Sequence, residues 1–355
     1  MRTYLWNLLR ELSDVPDLRL TCFVSGALPQ PDLSPKVQRQ SVAGPWVNNW
    51  IWTEWQLPRS LSSKARRRTD GAGGIDLFHF PGYTLSSRMR CKKIVSVHDV
   101  SYAAHPEWYP HSSGRFRQRF YRRSAECADA VLTLSQFSKQ EICRVYAVPP
   151  ERVFIIHPAS GLESVQPADR WERPAGVGEK YLLHVGDLHA RRNLPTALEA
   201  FAAVRKTWDL HFVLIGRDLG ARAEIGRHAA TLGCESSVHF MENLPLDEMP
   251  HWYQNAQALV YPSLYEGFGL PLLEAMQWGC PVAAARVSSF PEVAGDAAWW
   301  FDPLSSREIA EGIEAILSQP HTRESLRERG FKRVKEFSWK KTAEETVAVY
   351  RQVLG

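Results

Sequence analysis

Short apolar runs rich in β-branched residues alternate along the chain with stretches in which apolar residues recur at helical spacing. In the first half, this pattern predicts helices over residues 2–13, 47–60, 113–127 and 136–146. The strands predicted among them cover residues 18–24, 75–80, 92–100, 130–135 and 153–157. Strands that alternate with helices are typical of βαβ units and a parallel sheet.

Residues 158–178 lose the apolar rhythm and gain proline, glycine and charge, which predicts a domain linker. Beyond them we predict strands over 181–186, 211–216, 238–241, 258–263 and 281–285, with helices over 194–206, 219–232, 246–256 and 271–278. Three helical stretches close the chain. The sequence therefore predicts an α/β protein with two Rossmann-like domains, 1–160 and 175–338, that face each other across a cleft, with the last helix, 339–355, crossing back to the first domain.

Composition narrows the class of partner. The 355 residues include 43 Lys and Arg against 39 Asp and Glu, and a net charge of +4 is too small for a protein that tracks nucleic-acid phosphates. The six cysteines form no C-x-x-C pair, which argues against a zinc site and a disulfide framework and favours a reduced, cytoplasmic protein. We find no apolar run of the roughly 18 residues that a spanning helix needs. The oligomeric state stays open.

One window combines aromatic and basic residues: Trp46, Trp50, Trp52 and Trp55 precede Arg59, Lys64, Arg66, Arg67 and Arg68. The preferred interpretation is a helix packed on its own domain, ended by Pro58 and followed by a solvated loop. Peripheral contact with a membrane surface is the alternative, because aromatic rings next to cations suit the membrane interface.

The segment PSLYEGFGLPLLEAM, 262–276, follows a predicted strand and holds Glu266 and Glu274. Gly267 and Gly269 remove side chains that would keep a ligand away from the backbone, and Pro271 suits the first turn of a helix. A helix N-terminus at the carboxyl end of a strand is an anion site, so this turn is a candidate phosphate cradle. Glu266 is expected to be an exposed loop carboxylate whose removal leaves the fold intact. The alternative is that Glu266 is an ordinary charge at the N-terminus of the helix and Glu274 a residue on its solvated face.

A second candidate is HVGDLHARRNLPTALEAF, 184–201. Gly186 ends a strand, Arg191 and Arg192 follow in the loop, and Asn193 is placed to cap a helix. Two guanidiniums beside a helix N-terminus predict a pyrophosphate clamp, with a basic surface loop as the alternative.

Polar residues also end strands of the first domain. His98 and Asp99 follow one strand, and His79 and Ser135 end two others. Strand ends are where functional groups collect in an open α/β sheet. A structural role remains open for each of these residues, and for Ser135 a plain helix N-cap is the default.

These runs, together with VHDV, TLSQFSKQEI and SFPEVAGDAAWWFDP (289–303), resemble the family 4 retaining glycosyltransferases of GT-B architecture, in order along nearly the whole chain. They look close to the bacterial branch that builds polysaccharides, often from GDP-mannose or UDP-sugars. The resemblance implies a nucleotide-sugar donor, a glycan or lipid-linked acceptor, retention of anomeric configuration, and neither a cofactor nor a metal.

The resemblance also implies residue roles. Glu266 would bind the hydroxyls of the donor sugar, Glu274 the ribose, and Arg191 with Arg192 the diphosphate, although the family usually has Arg-Lys at this pair. His98 matches the family histidine that contacts the donor sugar. The predicted catalytic residues are Glu266, His98 and Arg191, and the predicted substrate-binding residues are Gly186, Arg191, Arg192, Glu266, Gly267, Phe268, Gly269, Leu270, Glu274 and Ser135.

In one respect the sequence departs from the family. The family places a strand and a glycine-rich turn before a helix such as RTYLWNLLREL, and this sequence begins with the helix. A start further upstream is the favoured explanation, because losing a central strand would leave backbone groups of its neighbours unpaired. Otherwise a donor-binding scaffold without activity becomes a competing hypothesis, as does a sugar-nucleotide epimerase.

Overall fold

The computed structural model describes residues 2–25, 34–42, 49–65, 74–109 and 114–355. The chain divides into two compact units, the first made of Met1–Pro158 with Trp339–Gly355 and the second of Ala159–Ser338. Each unit is an α/β domain with parallel strands, so the predicted fold class is confirmed.

In the first unit the strands are β1 (Thr21–Ser25), β2 (Gln38–Val42), β3 (Leu77–Phe80), β4 (Lys92–Ser96), β5 (Ala130–Thr133) and β6 (Val153–Ile155). Its helices are α1 (Arg2–Leu12), α2 (Asn49–Ile51), α3 (Leu57–Ala65), α4 (Ser101–Ala104), α5 (Gly114–Cys127), α6 (Gln136–Tyr146) and, at the end of the chain, α14 (Trp339–Leu354). Strands β1 and β2 form one parallel sheet, and β3-β4-β5-β6 form a second in that order. The apolar side chains of β4 and β5 and that of Val153 on β6 are buried, as expected where helices cover a parallel sheet.

Helix α14 is held in the first unit by buried polar contacts. The hydroxyl of Tyr350 lies 2.6 Å from Nδ1 of His79 on β3, and the hydroxyl of Thr342 donates to the carbonyl of His157 at 2.7 Å. The ring of Trp339 packs edge-on against Tyr4 of α1, with 5.8 Å between centroids. The last helix is therefore an integral part of this unit's core.

The helix predicted over 47–60 and ended at Pro58 is wrong in detail. From Asn49 onward the described chain is helical, with a π-helical turn over Trp52–Gln56 that leads into α3. Pro58 lies in the first turn of α3 instead of ending a helix. Proline lacks the N–H for an α-helical bond to the preceding turn, and a π-type turn accommodates that loss. Trp46 and residues 66–68 of the same window lie outside the described residues.

In the second unit the strands are β7 (Tyr181–Val185), β8 (His211–Ile215), β9 (Val238–Met241), β10 (Ala258–Tyr261), β11 (Val282–Ala285) and β12 (Ala298–Phe301). Its helices are α7 (Leu194–Val204), α8 (Arg222–Thr231), α9 (Met249–Asn255), α10 (Leu270–Gln277), α11 (Phe290–Ala294), α12 (Ser306–Ser318) and α13 (Pro320–Val334). These strands form one parallel sheet in the order β12-β11-β10-β7-β8-β9. The order reverses between β10 and β7, and such a switch point opens a crevice at the carboxyl ends of the strands.

The predicted linker is a packed segment. Residues 159–178 contain neither helix nor strand, yet Ser160 and Leu162 are buried in the second unit. The side-chain amide of Gln277 donates to the carbonyl of Leu162 at 2.9 Å, and Trp171 stacks on His251 with 5.4 Å between centroids. The loss of apolar periodicity therefore indicates a segment of irregular backbone that is packed against the second unit.

Candidate functional site

The loops that follow β7 and β10 meet at the switch point of the second sheet. The amide of Leu264 donates to the carbonyl of Arg191 at 2.9 Å, and Nη1 of Arg191 donates to the carbonyl of Tyr265 at 3.1 Å. The two sequence motifs, separated by more than sixty residues, are thereby joined into one site. Both motifs end at a helix N-terminus, α7 for the first and α10 for the second.

Arg192 is buried at the centre of this site, only 8 % exposed. Its Nη1 donates to the hydroxyl of Tyr261 at 2.8 Å and to that of Ser263 at 3.4 Å, and its Nε donates to the carbonyl of Asp187 at 3.4 Å. Its guanidinium lies against Gly186, where an added Cβ would lie 3.1 Å from the guanidinium carbon. Burial lowers the pKa of Arg192 from its ordinary value. Arg192 is therefore a fixed internal cation instead of the loop residue that the sequence predicted.

Glu266 is also buried, 7 % exposed, so the expectation of an exposed loop carboxylate is wrong. Its Oε2 lies 3.3 Å from Nη1 of Arg191, and its Oε1 contacts Nη1 of Arg192. Burying a carboxylate is costly unless charged partners surround it, and these two arginines supply them. Arg191 is the more exposed of the two, which leaves it the better placed to meet a ligand.

The turn before α10 is shaped by packing as well as by its glycines. Gly269 has a left-handed backbone (φ 108°), and a Cβ there would lie 2.9 Å from the ring of Phe290. The hydroxyl of Ser289 lies 3.0 Å from the carbonyl oxygen of Glu266 and 2.8 Å from that of Phe268. Because a trans peptide points its N–H opposite to its C=O, the amides of Gly267 and Gly269 are directed away from Ser289. Ser289 thus sets the orientation of two amides beside the α10 N-terminus.

Asn193 occupies the N-cap position of α7, as predicted, but its side chain makes no cap bond to the helix backbone. Its Nδ2 donates to the carbonyl of Pro303 at 2.6 Å, and its Oδ1 accepts from the hydroxyl of Thr196 at 2.8 Å. The residue adopts a left-handed backbone (φ 53°), which asparagine tolerates better than most residues. The side chain therefore ties α7 to the loop after β12 instead of capping the helix.

Glu274, one turn into α10, has structural partners. Its Oε2 accepts from the hydroxyl of Tyr253 at 2.8 Å, and the amide of Gly161 also donates to the carboxylate. Burial raises the pKa of Glu274 from its ordinary value. The side chain is not the solvated face residue of the alternative interpretation, and its contact with a ribose stays a prediction. Leu270, the first residue of α10, is partly exposed at the mouth of the turn.

His98 and Ser135 lie in the first unit, just beyond the ends of β4 and β5. Ser135 caps α6 by accepting from the amide of Ser138 at 3.0 Å, and the hydroxyl of Ser138 donates to the carbonyl of His98 at 3.2 Å. Nε2 of His98 lies 3.1 Å from the carbonyl of Pro81, so that nitrogen carries the proton. Burial lowers the pKa of His98 to about 4, so the imidazole is neutral at pH 7.

Four residues of the second-unit site were not predicted from the sequence: Tyr261, Ser263, Ser289 and His184. Tyr261 and Ser263 belong to the segment that ends in the phosphate turn, and Ser289 opens the run 289–303. His184 is fully buried, with Nδ1 3.1 Å from the carbonyl of Val260 and its ring stacked on Tyr261. The polar side chain at each of these positions could have indicated a role in the site, because buried polar groups need hydrogen-bond partners.

Within the described residues, we find no cluster of three or more His, Cys, Asp or Glu side chains that could hold a metal ion. In the same part of the chain no helix combines the length and apolar character that crossing a membrane requires. The absence of a cofactor and of a metal in the reaction stays a prediction.

Comparison with known proteins places both halves of the sequence. Residues 1–160 match the family model described as Glycosyltransferase Family 4, and residues 165–333 match the model described as Glycosyl transferases group 1. O-antigen chain mannosyltransferase B of Escherichia coli is 29 % identical over 285 residues, which is 78 % of this chain and 74 % of that protein. MMP alpha-(1->4)-mannosyltransferase of Mycolicibacterium hassiacum is 27 % identical over 324 residues, 86 % of this chain and 77 % of that protein.

Among solved structures, sucrose-phosphate synthase of Thermosynechococcus elongatus superposes with a TM-score of 0.77 at 22 % identity, over 99 % of this chain and 92 % of that one. Similarity of that degree establishes the fold, while the matches of the two family models establish the relationship. The chain therefore belongs to the family 4 glycosyltransferases, and it is a glycosyltransferase of GT-B fold.

Proposed function

We propose that this glycosyltransferase is a retaining mannosyltransferase that takes GDP-mannose as donor and extends a polysaccharide or a lipid-linked glycan in the cytoplasm. The two relatives described above are named as mannosyltransferases, and one name refers to an O-antigen chain. These names support mannose as the sugar and a bacterial glycan as the acceptor. A UDP-sugar donor is the alternative that the experiment below separates.

The observation that carries the proposal is the cationic site at the switch point of the second unit. Arg191, Arg192 and the N-terminus of α10 concentrate positive charge beside two amides that Ser289 orients. A nucleoside diphosphate is a dianionic or more highly charged leaving group, and its departure is the step that such a site would stabilise. In this assignment Arg191 contacts the diphosphate directly, and Arg192 acts from within as a fixed positive charge.

Glu266 takes the part of a hydrogen-bond acceptor for hydroxyls of the donor sugar. Its two carboxylate oxygens lie against two arginines, and each oxygen of a carboxylate is a hydrogen-bond acceptor. A carboxylate held in this way orients the sugar against the leaving group without itself donating a proton. His98 lies in the first unit with a neutral imidazole protonated on Nε2, and its contact with the donor sugar, which the family resemblance implies, is part of this proposal.

The test is donor turnover by the purified protein. GDP-mannose, UDP-glucose and UDP-N-acetylglucosamine are supplied separately, with and without a mannose-terminated oligosaccharide, and nucleoside diphosphate release is followed. We expect release from GDP-mannose, acceleration by the acceptor, and an α-linked product in the anomeric proton spectrum. Turnover of a UDP-sugar alone would refute the donor assignment, a β-linked product would refute retention, and binding without turnover would refute the activity.

A matched pair of variants ties turnover to the site. Glu266→Gln keeps the shape of the side chain and removes its charge, and we expect transfer to fall by at least about a hundredfold, the scale of a lost electrostatic contact in a transition state. Glu311→Gln makes the same chemical change at an exposed carboxylate on α12 and should leave turnover unchanged. Equal activity in both variants would remove Glu266 from the mechanism.

A further inference from the structure

The formal charge of the protein is divided unevenly between its two units. The first unit carries 25 Lys and Arg against 15 Asp and Glu, a formal charge of +10. The second carries 18 against 24, a formal charge of −6, and the two together give the +4 of the whole chain. The nearly neutral total therefore conceals a first unit that attracts anions.

Helix α5 presents an aromatic and basic stripe on the first unit. Phe116, Arg119 and Arg123 follow one another at spacings of three and four residues, so they share one side of the helix. Phe116 is 56 % exposed, an unusual position for a large apolar side chain. Its ring meets that of Trp50 edge-on at 5.6 Å between centroids, which joins α5 to the segment that begins with α2.

The same segment carries a second aromatic residue between two cations. The guanidinium of Arg88 lies 3.7 Å from the ring centroid of Trp55, and that of Arg59 lies 5.3 Å from it. Nη2 of Arg123 donates to the hydroxyl of Ser87 at 3.2 Å, which connects α5 to the loop that holds Arg88. The stripe and the Trp55 cluster are thus parts of one continuous surface.

We call this surface the basic aromatic face; it consists of Trp50, Trp55, Arg59, Arg88, Phe116, Arg119 and Arg123. None of its four arginines forms an ion pair with a carboxylate in the described part of the chain. The nearby carboxylate of Glu54 is buried and accepts from Ser86 and Ser87 instead. The positive charge of the face is therefore not neutralised locally.

From these contacts we propose that the basic aromatic face docks the first unit on an anionic phospholipid surface. The exposed ring of Phe116 enters the headgroup region, with the half-buried Trp50 beside it, and the guanidiniums bind lipid phosphates. A face meant only for solvent would not need an exposed Phe116 packed against a half-buried Trp50, and an exposed aromatic ring among cations favours lipid over other polyanions. The docking surface lies in the first unit and does not depend on the donor assignment proposed above.

The test uses the full chain and two charge-reversal variants of the same unit. Arg59→Glu with Arg119→Glu alters the face, whereas Lys340→Glu with Arg351→Glu makes an equal charge change on exposed positions of α14. Binding is measured by co-sedimentation with vesicles of phosphatidylcholine containing phosphatidylglycerol, and with vesicles of phosphatidylcholine alone. Each basic residue near an anionic surface contributes roughly a factor of five to partitioning, so the first variant should bind at least about tenfold more weakly.

The α14 variant should bind within about twofold of the wild type, and Phe116→Ala, at an exposed position, should weaken binding several-fold. Equal losses in the two charge variants would overturn the proposal, because attraction would then follow net charge alone. Equal wild-type binding to both kinds of vesicle, or full binding by Phe116→Ala together with displacement by double-stranded DNA, would also overturn it. Donor turnover with a water-soluble acceptor, unchanged in Arg59→Glu with Arg119→Glu, separates failure of docking from failure of the transferase assignment.

Discussion

Replacing Glu266 by alanine tests the buried ion pairs at the centre of the site. The change leaves Arg191 and Arg192 without their carboxylate, although the latter is only 8 % exposed. Removing one partner of a buried pair typically costs about 3–5 kcal/mol. Arg192 retains the oxygens of Tyr261, Ser263 and Asp187 as acceptors, so we expect the lower end, about 3 kcal/mol.

For a unit of this size, 1 kcal/mol corresponds to about 2–4 °C, so the melting temperature of the second unit should fall by about 6–12 °C. Scanning calorimetry or circular dichroism measures the shift. Glu266→Gln keeps an acceptor oxygen and a donor nitrogen where the two carboxylate oxygens were. Its melting temperature should fall by less than half as much as that of Glu266→Ala, because neutral hydrogen bonds are about half as strong as charge-assisted ones.

The matched control is Glu311→Ala in α12. Glu311 lies 3.7 Å from Nε of Arg307, and both side chains are exposed. An exposed pair contributes about 0–1 kcal/mol, so the melting temperature should change by less than about 4 °C. If Glu266→Ala and Glu311→Ala have the same melting temperature, the buried ion pairs of Glu266 do not stabilise the second unit.

Three further predictions concern the same unit. Ser289→Ala removes the hydroxyl that orients the amides of Gly267 and Gly269, and we expect several-fold weaker donor binding in calorimetry, since one hydrogen bond contributes about 1 kcal/mol; unchanged affinity would contradict its orienting role. Arg191→Ala should weaken binding of the nucleoside diphosphate about tenfold or more, because a charge-assisted bond contributes roughly 1.5–3 kcal/mol, and the loss should shrink at high salt; an affinity equal to that of the wild type would argue against the clamp. Burial holds the pKa of His184 at about 3, whereas the unfolded chain binds that proton near pH 6.5. The contribution of neutral His184 to the free energy of unfolding is therefore complete above pH 6.5. It declines as the pH falls towards 3, by about 1.4 kcal/mol per pH unit, or about 2 kcal/mol between pH 6.5 and 5. Urea unfolding of the wild type and of His184→Gln should differ in pH dependence by that amount, and parallel profiles would contradict this prediction.

Much of the fold could be predicted from local pattern. Helix α6 begins and ends at the predicted residues 136 and 146, and strand β9 matches residues 238–241. Strand β2, QRQSV, was missed because its side chains are mostly polar and exposed, so no apolar alternation marks it. Its pairing with β1 comes from backbone hydrogen bonds, which the side-chain pattern does not encode.

The candidate site was also predicted only in part from the sequence. Glycines, Pro271 and the positions of Glu266 and Arg191 at strand ends were sufficient to predict an anion site. The exposure of Glu266 was predicted wrongly, because burial depends on neighbours that come from other elements. Arg191 and Tyr265, which are joined by a hydrogen bond, lie 74 positions apart in the sequence. No periodicity over a few residues records that contact.

The sequence by itself determined the α/β alternation, the turn chemistry before α10 and the family, because each of these depends on residues close together in the chain. Only the tertiary structure decided that the loops after β7 and β10 meet, that Arg192 is an internal cation, and that Ser289 orients the amides of the turn. The physical reason is the order of the strands. Adjacency of β7 and β10 is a property of the whole sheet, and it brings opposite charges together that the sequence keeps far apart.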